Sequence, residues 1–394
     1  MGPGVLVTAA FIGPGTVTIC TIAGVKFGTT LLWAMVLSVL ATAILQEMAA
    51  RLGIVTQKGL ATVIKEQLST PLFRNLVLSL IFTAIVLGNA AYEAGNISGA
   101  VLGMEAAFGT GISIYGIPVI AGIAFVLLFS GNYKILEKSL VSLVAVMGIS
   151  FILTAILIAP HITTVLKGVF VPVIPENSLL TVIGLVGTTI VPYNLFLHAS
   201  LVKEKWKTVK DLKTAKIDTY LSVFLGGLVS MSIIVAASGI DIAEVHDAMD
   251  LALGLEPLYG SAARYFLGIG LFAAGITSTI TAPLAAAYVA NSVFGWNTGL
   301  KDYRFRLVWI LILVLGLFFM SFKITPVQMI RIAQIANGIL LPVIAVFLIW
   351  VVNRPGLLGK YKNTFSQNVL AVLIVLITVF LGIKGILKVF GLLQ

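Results

Sequence analysis

Charge is scarce in this chain. Only 10% of its 394 residues are Asp, Glu, Lys or Arg, against 59% hydrophobic. A soluble domain carries about 25% charged residues, so a water-soluble fold is excluded. Cysteine is scarcer still. Cys20 stands alone, which excludes an intrachain disulfide and a thiolate metal cluster. The only histidines are His161, His198 and His246, with neither Ser nor Cys beside them. No H-E-x-x-H or G-x-S-x-G occurs, so no enzyme chemistry and no cofactor is expected. The N-terminal segment lacks the basic stretch of a cleavable signal peptide.

What the chain has in abundance is long apolar runs. About 20 such residues cross a bilayer core of about 30 Å. Candidate spans fall at about 4–24, 29–51, 75–103, 112–130, 139–160, 178–202, 217–239, 260–292, 305–322, 327–352 and 368–390. No linker is long or polar enough for a soluble domain. The expected fold class is an all-α polytopic membrane protein, with residues 1–394 forming one transmembrane domain.

The net charge of +10 reads as topology. Lys203, Lys205, Lys207, Lys210, Lys213 and Lys216 follow the sixth span, and further basic residues fill alternate loops. By the positive-inside rule those loops are cytoplasmic, which puts the N-terminus inside a cell membrane and the C-terminus outside. Nucleic acid is not an expected partner; the bilayer is. The loop after the seventh span reverses the pattern, with Asp241, Glu244, Asp247, Asp250 and Glu256. It either gathers cations or is a solvated amphipathic segment.

Two spans are interrupted near their middles, by Gly13-Pro14-Gly15-Thr16 and by Val191-Pro192-Tyr193-Asn194. Proline removes a backbone donor and glycine loosens φ and ψ. Unwound backbone at membrane depth persists only inside protein or beside a polar cavity. A matched pair of broken helices points to the substrate site of a secondary transporter; two ordinary proline kinks are the plain alternative. The breaks suggest two inverted halves, about 4–160 and 178–352, with an extra helix at about 368–390 outside the scheme.

Ionisable groups inside spans are costly and default to functional hypotheses. Glu93 lies in the third span and His198 beyond the sixth-span break; together they can form a proton route. Alternatively, Glu93 pairs permanently with Arg264 or Arg331, and His198 makes one fixed hydrogen bond. Glu47 and Arg51, four apart, suit an intrahelical ion pair serving as an anchor or inner gate. Gln334 and Asn337 share a helix face and offer amide oxygens to a solute, or bridge helices. Small residues crowd the third and eighth spans, as expected for closely packed membrane helices.

The sixth-span sequence Gly187-Thr188-Thr189-Ile190-Val191-Pro192-Tyr193-Asn194-Leu195-Phe196-Leu197-His198-Ala199-Ser200 closely resembles the Nramp family, whose sixth span carries Met-Pro-His-Asn-Leu-Tyr-Leu-His-Ser. Gly13-Pro14-Gly15-Thr16 stands where that family has Asp-Pro-Gly-Asn. Gly275-Ile276-Thr277-Ser278-Thr279-Ile280-Thr281 is similar to its eighth-span Gly-Gln-Ser-Ser-Thr-Ile-Thr, and Gln334 with Leu340-Leu341-Pro342 to its tenth span. The resemblance implies a leucine-transporter-like 5+5 inverted repeat with an eleventh helix. It also implies alternating access and proton-coupled import of Mn²⁺ or Fe²⁺.

The departures matter as much. Where the family holds its metal with Asp, Asn and Met, this chain has Gly13, Thr16 and Val191. The carboxylate is gone, and so is the soft thioether that favours transition metals. One of the paired histidines is Tyr193, while His198 is kept. Ala90 replaces the third-span Asp, while Glu93 is kept. Losing a carboxylate from a divalent-cation site in a low-dielectric chamber costs several kcal/mol, and about 1.4 kcal/mol is a decade of affinity.

The sequence therefore points to an Nramp-related secondary transporter of a small solute, a metal cation first, with proton coupling open and ordinary Mn²⁺/Fe²⁺ transport doubtful. The candidate site is Gly13, Thr16, Val191, Tyr193, Asn194, Gln334 and Asn337, with Thr16, Asn194 and Gln334 as the metal-facing subset. An organic solute or anion is the alternative cargo. A non-transporting membrane sensor is the alternative role.

Overall fold

The computed structural model describes residues 12–131, 134–296, 298–322, 324–389 and 392, and those residues form helices joined by short connections, without a strand among them. In lipid every backbone polar group must be satisfied internally, and uninterrupted Leu, Ile, Val and Ala runs meet that demand as helices. The helices are α1 (Pro14–Phe27), α2 (Leu32–Thr56), α3 (Leu60–Gln67), α4 (Pro71–Phe108), α5 (Ser113–Ser130), α6 (Lys134–Ile158) and α7 (Ile162–Phe170). They continue as α8 (Leu179–Thr189), α9 (Pro192–Lys205), α10 (Leu212–Ala237), α11 (Ala263–Phe294), α12 (Tyr303–Met320), α13 (Pro326–Val352) and α14 (Phe365–Val389).

Each expected span has its helix, within a few residues at either end. Of the first span, the part before Ile12 lies outside the described residues. The helices α3 and α7 were not foreseen. Both are short amphipathic connectors; α3 buries Leu60, Ala61, Val63 and Ile64.

The core pairs α4 with α11 and α13, and α10 with α1 and α2. Small residues make the α4–α11 approach possible, as expected. A methyl group on Gly103 would sit 2.5 Å from the Gly268 carbonyl oxygen, and one on Gly275 would sit 2.6 Å from Ala100 Cβ. Asn89 Nδ2 of α4 donates to the Ala282 carbonyl (2.8 Å), beside Pro283 within α11.

Glu47 and Arg51 do form the expected ion pair, buried in α2 with Nη2 3.1 Å from Oε2. The pair is the centre of a wider network. Lys216 reaches Glu47 Oε1 at 3.1 Å, and Arg51 donates to Asn363 Oδ1 at 2.6 Å and to the Tyr361 carbonyl. The lysine-rich face is thereby laced together across α2, α10 and the segment before α14.

The acidic loop after α10 resolves mostly into structure. Asp247 caps the short helix at Ala248–Ala252, accepting from Met249 N and Asp250 N, while Asp250 accepts from His246 N. Glu244 pairs with Lys26. These three carboxylates are engaged in hydrogen bonds or an ion pair.

Candidate functional site at the start of α1 and the sixth-span break

The sixth span is interrupted as expected. The helix α8 stops at Thr189, Ile190 and Val191 leave the helical region, and Pro192 restarts the chain as α9. Extended backbone at Val191 (φ −75°, ψ 120°) suits the residue before proline. The helix α1 begins at Pro14, with Gly13 extended before it (φ −98°, ψ −175°); the part of the first span that would precede the expected break lies outside the described residues. Neither Gly13 nor Val191 supplies a side-chain cap. Two helix N-termini therefore carry uncapped amides, and the end of α8 carries terminal carbonyls.

The start of α1 touches the sixth-span break. Thr16 Oγ1 of α1 lies 2.8 Å from Thr188 Oγ1 at the end of α8. Gln334 of α13 is wedged beside them. A methyl group on Gly15 would fall 2.1 Å from Gln334 Nε2, and one on Gly187 would fall 1.9 Å from the Gln334 carbonyl oxygen. Glycine at these two positions is what lets α13 approach the start of α1 and the sixth-span break at once.

Several buried polar atoms on these elements have no hydrogen-bond partner among the described residues. They include both amide atoms of Asn194 beside the sixth-span break, and Gln334 Oε1 and Asn337 Nδ2 on α13. Unsatisfied polar groups inside a protein are costly, about 1–3 kcal/mol each, and rare without a reason. Asn194 is fully buried and begins the first turn of α9, next to the break. Tyr193 packs edge-on against Tyr92 of α4 with ring centroids 5.5 Å apart.

The structure thus brings together Gly13, Thr16, Val191, Asn194 and Gln334 at the start of α1 and the sixth-span break, with Asn337 one turn further along α13. It does not bring Glu93 and His198 into contact. His198 faces α2, where its Nδ1–H donates to Gln46 Oε1 (2.8 Å) and Nε2 is left without a partner. Glu93 faces α12: its Cγ would lie 2.7 Å from a methyl group on Gly316. Asn96 Nδ2 donates to Glu93 Oε2 at 3.4 Å, while Oε1 has no partner.

The arginine pairing weighed for Glu93 is overturned among the described residues. Arg264 instead stacks on Tyr265, and Arg331 faces a cavity near Lys26. Thr188, Gln46 and Gly316 were not singled out from sequence. Thr188 lay inside the quoted motif; no local pattern marks the other two.

Chemically the site is neutral and oxygen-rich. It offers hydroxyls, amide groups, terminal carbonyls and two N-terminal amide clusters. Among the described residues no three His, Cys, Asp or Glu side chains converge as a metal centre.

A family model described as natural resistance-associated macrophage protein-like matches residues 4–388. The chain belongs to the Nramp family. Among its relatives, the divalent metal cation transporter MntH of Verminephrobacter eiseniae is 26% identical over 410 residues, covering 99% of this chain and 89% of the relative. The MntH of Bradyrhizobium diazoefficiens is 32% identical over 313 residues, covering 73% and 66%.

Solved structures agree on the fold. An Eremococcus coleocola manganese transporter, bound to an aromatic bis-isothiourea substituted compound, superposes with a TM-score of 0.79 at 21% identity, over 99% of this chain and 87% of that one. Mhp1, a nucleobase-cation-symport-1 family transporter with bromovinylhydantoin bound, gives 0.62 at 17% identity, over 100% and 94%. MhsT in complex with L-phenylalanine gives 0.60 at 13% identity, over 98% and 97%. This Nramp protein has the leucine-transporter-like fold expected from its sequence.

Proposed function

We propose that this Nramp protein is a secondary transporter working by alternating access, carrying a small solute, a metal cation first, across the cell membrane with its lysine-rich face cytoplasmic. The cargo binds between the start of α1 and the sixth-span break, touched by Thr16, Thr188, Asn194, Gln334 and the carbonyls at the end of α8. The observation that carries this reading is the hydroxyl contact between Thr16 and Thr188, which joins the start of α1 to the sixth-span break beside Gln334, whose Oε1 has no partner among the described residues.

The relatives' cargo is transferred only in part. Without a carboxylate or a thioether at the breaks, Mn²⁺ and Fe²⁺ lose the ligands that favour them. A hard cation that keeps part of its water shell, such as Mg²⁺, tolerates neutral hydroxyl and carbonyl oxygens. His198 and Glu93 are the groups able to couple protons, His198 through the unpartnered Nε2 and Glu93 through Oε1.

A second cargo class is favoured by one feature. Both α1 and α9 present uncapped N-termini with no carboxylate opposing a negative group, which suits a small organic solute or anion.

Uptake into proteoliposomes, with Mn²⁺, Mg²⁺ and a panel of organic solutes outside and a pH dye inside, separates the cases. The expected result is saturable uptake of a hard cation, lost in Thr188→Val, with weak or no Mn²⁺ uptake. Saturable Mn²⁺ uptake lost in Thr16→Val or Asn194→Leu would overturn the reading of the ligand set.

A further inference from the structure

On the face opposite the lysine cluster, the last turn of α1, the segment after α10 and the start of α13 enclose a cavity of about 120 Å³. Its charged and polar lining is Lys26, Glu244, His246, Gln328 and Arg331, with Thr325 at the end of α13. Lys26 is paired with Glu244. Arg331 makes no ion pair among the described residues, and its Nε is buried without a hydrogen-bond partner. The first turn of α13 adds its positive dipole end.

Two permanent positive charges and an imidazole thus face one carboxylate. The Lys26 ammonium, with His246 and Arg331 beyond it, holds the Glu244 carboxyl below its ordinary range. Glu244 is also tethered on a largely exposed segment, with its side chain 54% exposed. The cradle has more donors than this carboxylate uses. It also has room for several water-sized groups, at about 30 Å³ each.

We propose that this cavity binds a small carboxylate anion, held by Lys26, His246 and Arg331 in competition with Glu244. The group already paired with Lys26 at the rim is itself a carboxylate, and a guanidinium matches the two oxygens of a carboxylate in one plane. A metal cation is disfavoured there by the facing ammonium and guanidinium. An anion that takes the place of Glu244 frees the segment around 241–247 from α1. A tethered competitor acts at an effective concentration in the millimolar range, so the native protein binds soluble carboxylates weakly.

The test reads binding rather than transport, so its failure is distinguishable from failure of the proposed function. Acetate and succinate are titrated against chloride at constant ionic strength, and the thermal unfolding of the purified full chain is followed. Carboxylates should stabilise the protein more than chloride does. Glu244→Gln should tighten the apparent affinity by about tenfold or more, because the intramolecular competitor is removed. Arg331→Gln should abolish the response, and Lys26→Gln provides the same comparison if Arg331→Gln does not fold. Equal stabilisation by chloride, no tightening in Glu244→Gln, or an undiminished response in Arg331→Gln or Lys26→Gln overturns the proposal.

Discussion

Asn194 is fully buried with both amide atoms unpaired among the described residues. A buried amide with neither end paired costs stability, and a fold that retains it gains something other than stability. The Asn194→Leu variant keeps the volume and removes the unpaired groups. It should melt at the same temperature as the native protein or higher, while cargo uptake falls at least tenfold. A melting temperature that drops with uptake would make Asn194 a packing residue. The side chains at the breaks could be named from sequence because proline and glycine mark the interruption locally. Their partners could not. Thr16 meets Thr188 across 172 positions and His198 meets Gln46 across 152, and no local periodicity encodes such a pairing. Glu93 shows the same limit: the feature that accommodates it is the missing side chain of Gly316, which sequence presents only as one more glycine in an apolar helix.

At the scale of the element, the helices were legible because each apolar run has the length a bilayer demands. Among the described residues α2, α4, α6, α10, α11, α12, α13 and α14 are each long and apolar enough to cross a bilayer, as are α8 and α9 taken together across their interruption. The connectors α3 and α7 were hidden, being brief and amphipathic between more obvious neighbours. What the run lengths do not reveal is how closely the elements pack. The helix α13 lies against α8 with no space for a side chain at Gly187, since a methyl group there would meet backbone atoms of Gln334 and Gly338. Backbone cannot yield as a flexible side chain does. Gly187→Ala should therefore separate α8 from α13, giving a sharply lower melting temperature and no uptake. Gly111→Ala, with nothing near the added methyl, is the control expected to behave as the native protein. A Gly187→Ala variant with native stability and uptake would contradict the wedge.

Across the whole molecule, ion pairs lie at both membrane faces: Glu47 with Arg51 and Lys216 on one, Lys26 with Glu244 on the other. The second gives a pH dependence whose sign can be worked out. Because the folded-state pKa of Glu244 is depressed by Lys26, its stabilisation is fully present above the unfolded carboxylate value and is lost as pH falls through the lower, folded one. Its exposure keeps the contribution small. The melting temperature should dip on acidification through that window, and the component due to this pair should vanish in Glu244→Gln. A dip of unchanged size in the variant would assign the effect elsewhere.

The proposed cargo site, between the start of α1 and the sixth-span break, lacks the carboxylate and thioether that the family resemblance leads one to expect. Gly13 has negative φ and extended geometry, so the backbone there accepts an Asp as an N-cap. The most direct measurement is Mn²⁺ uptake by proteoliposomes carrying the native chain beside those carrying Gly13→Asp, Thr16→Asn and Val191→Met together. The prediction is negligible saturable Mn²⁺ uptake by the native protein and its appearance in the triple variant. Robust Mn²⁺ uptake by the native chain, unchanged or reduced by the three substitutions, would contradict the proposed site.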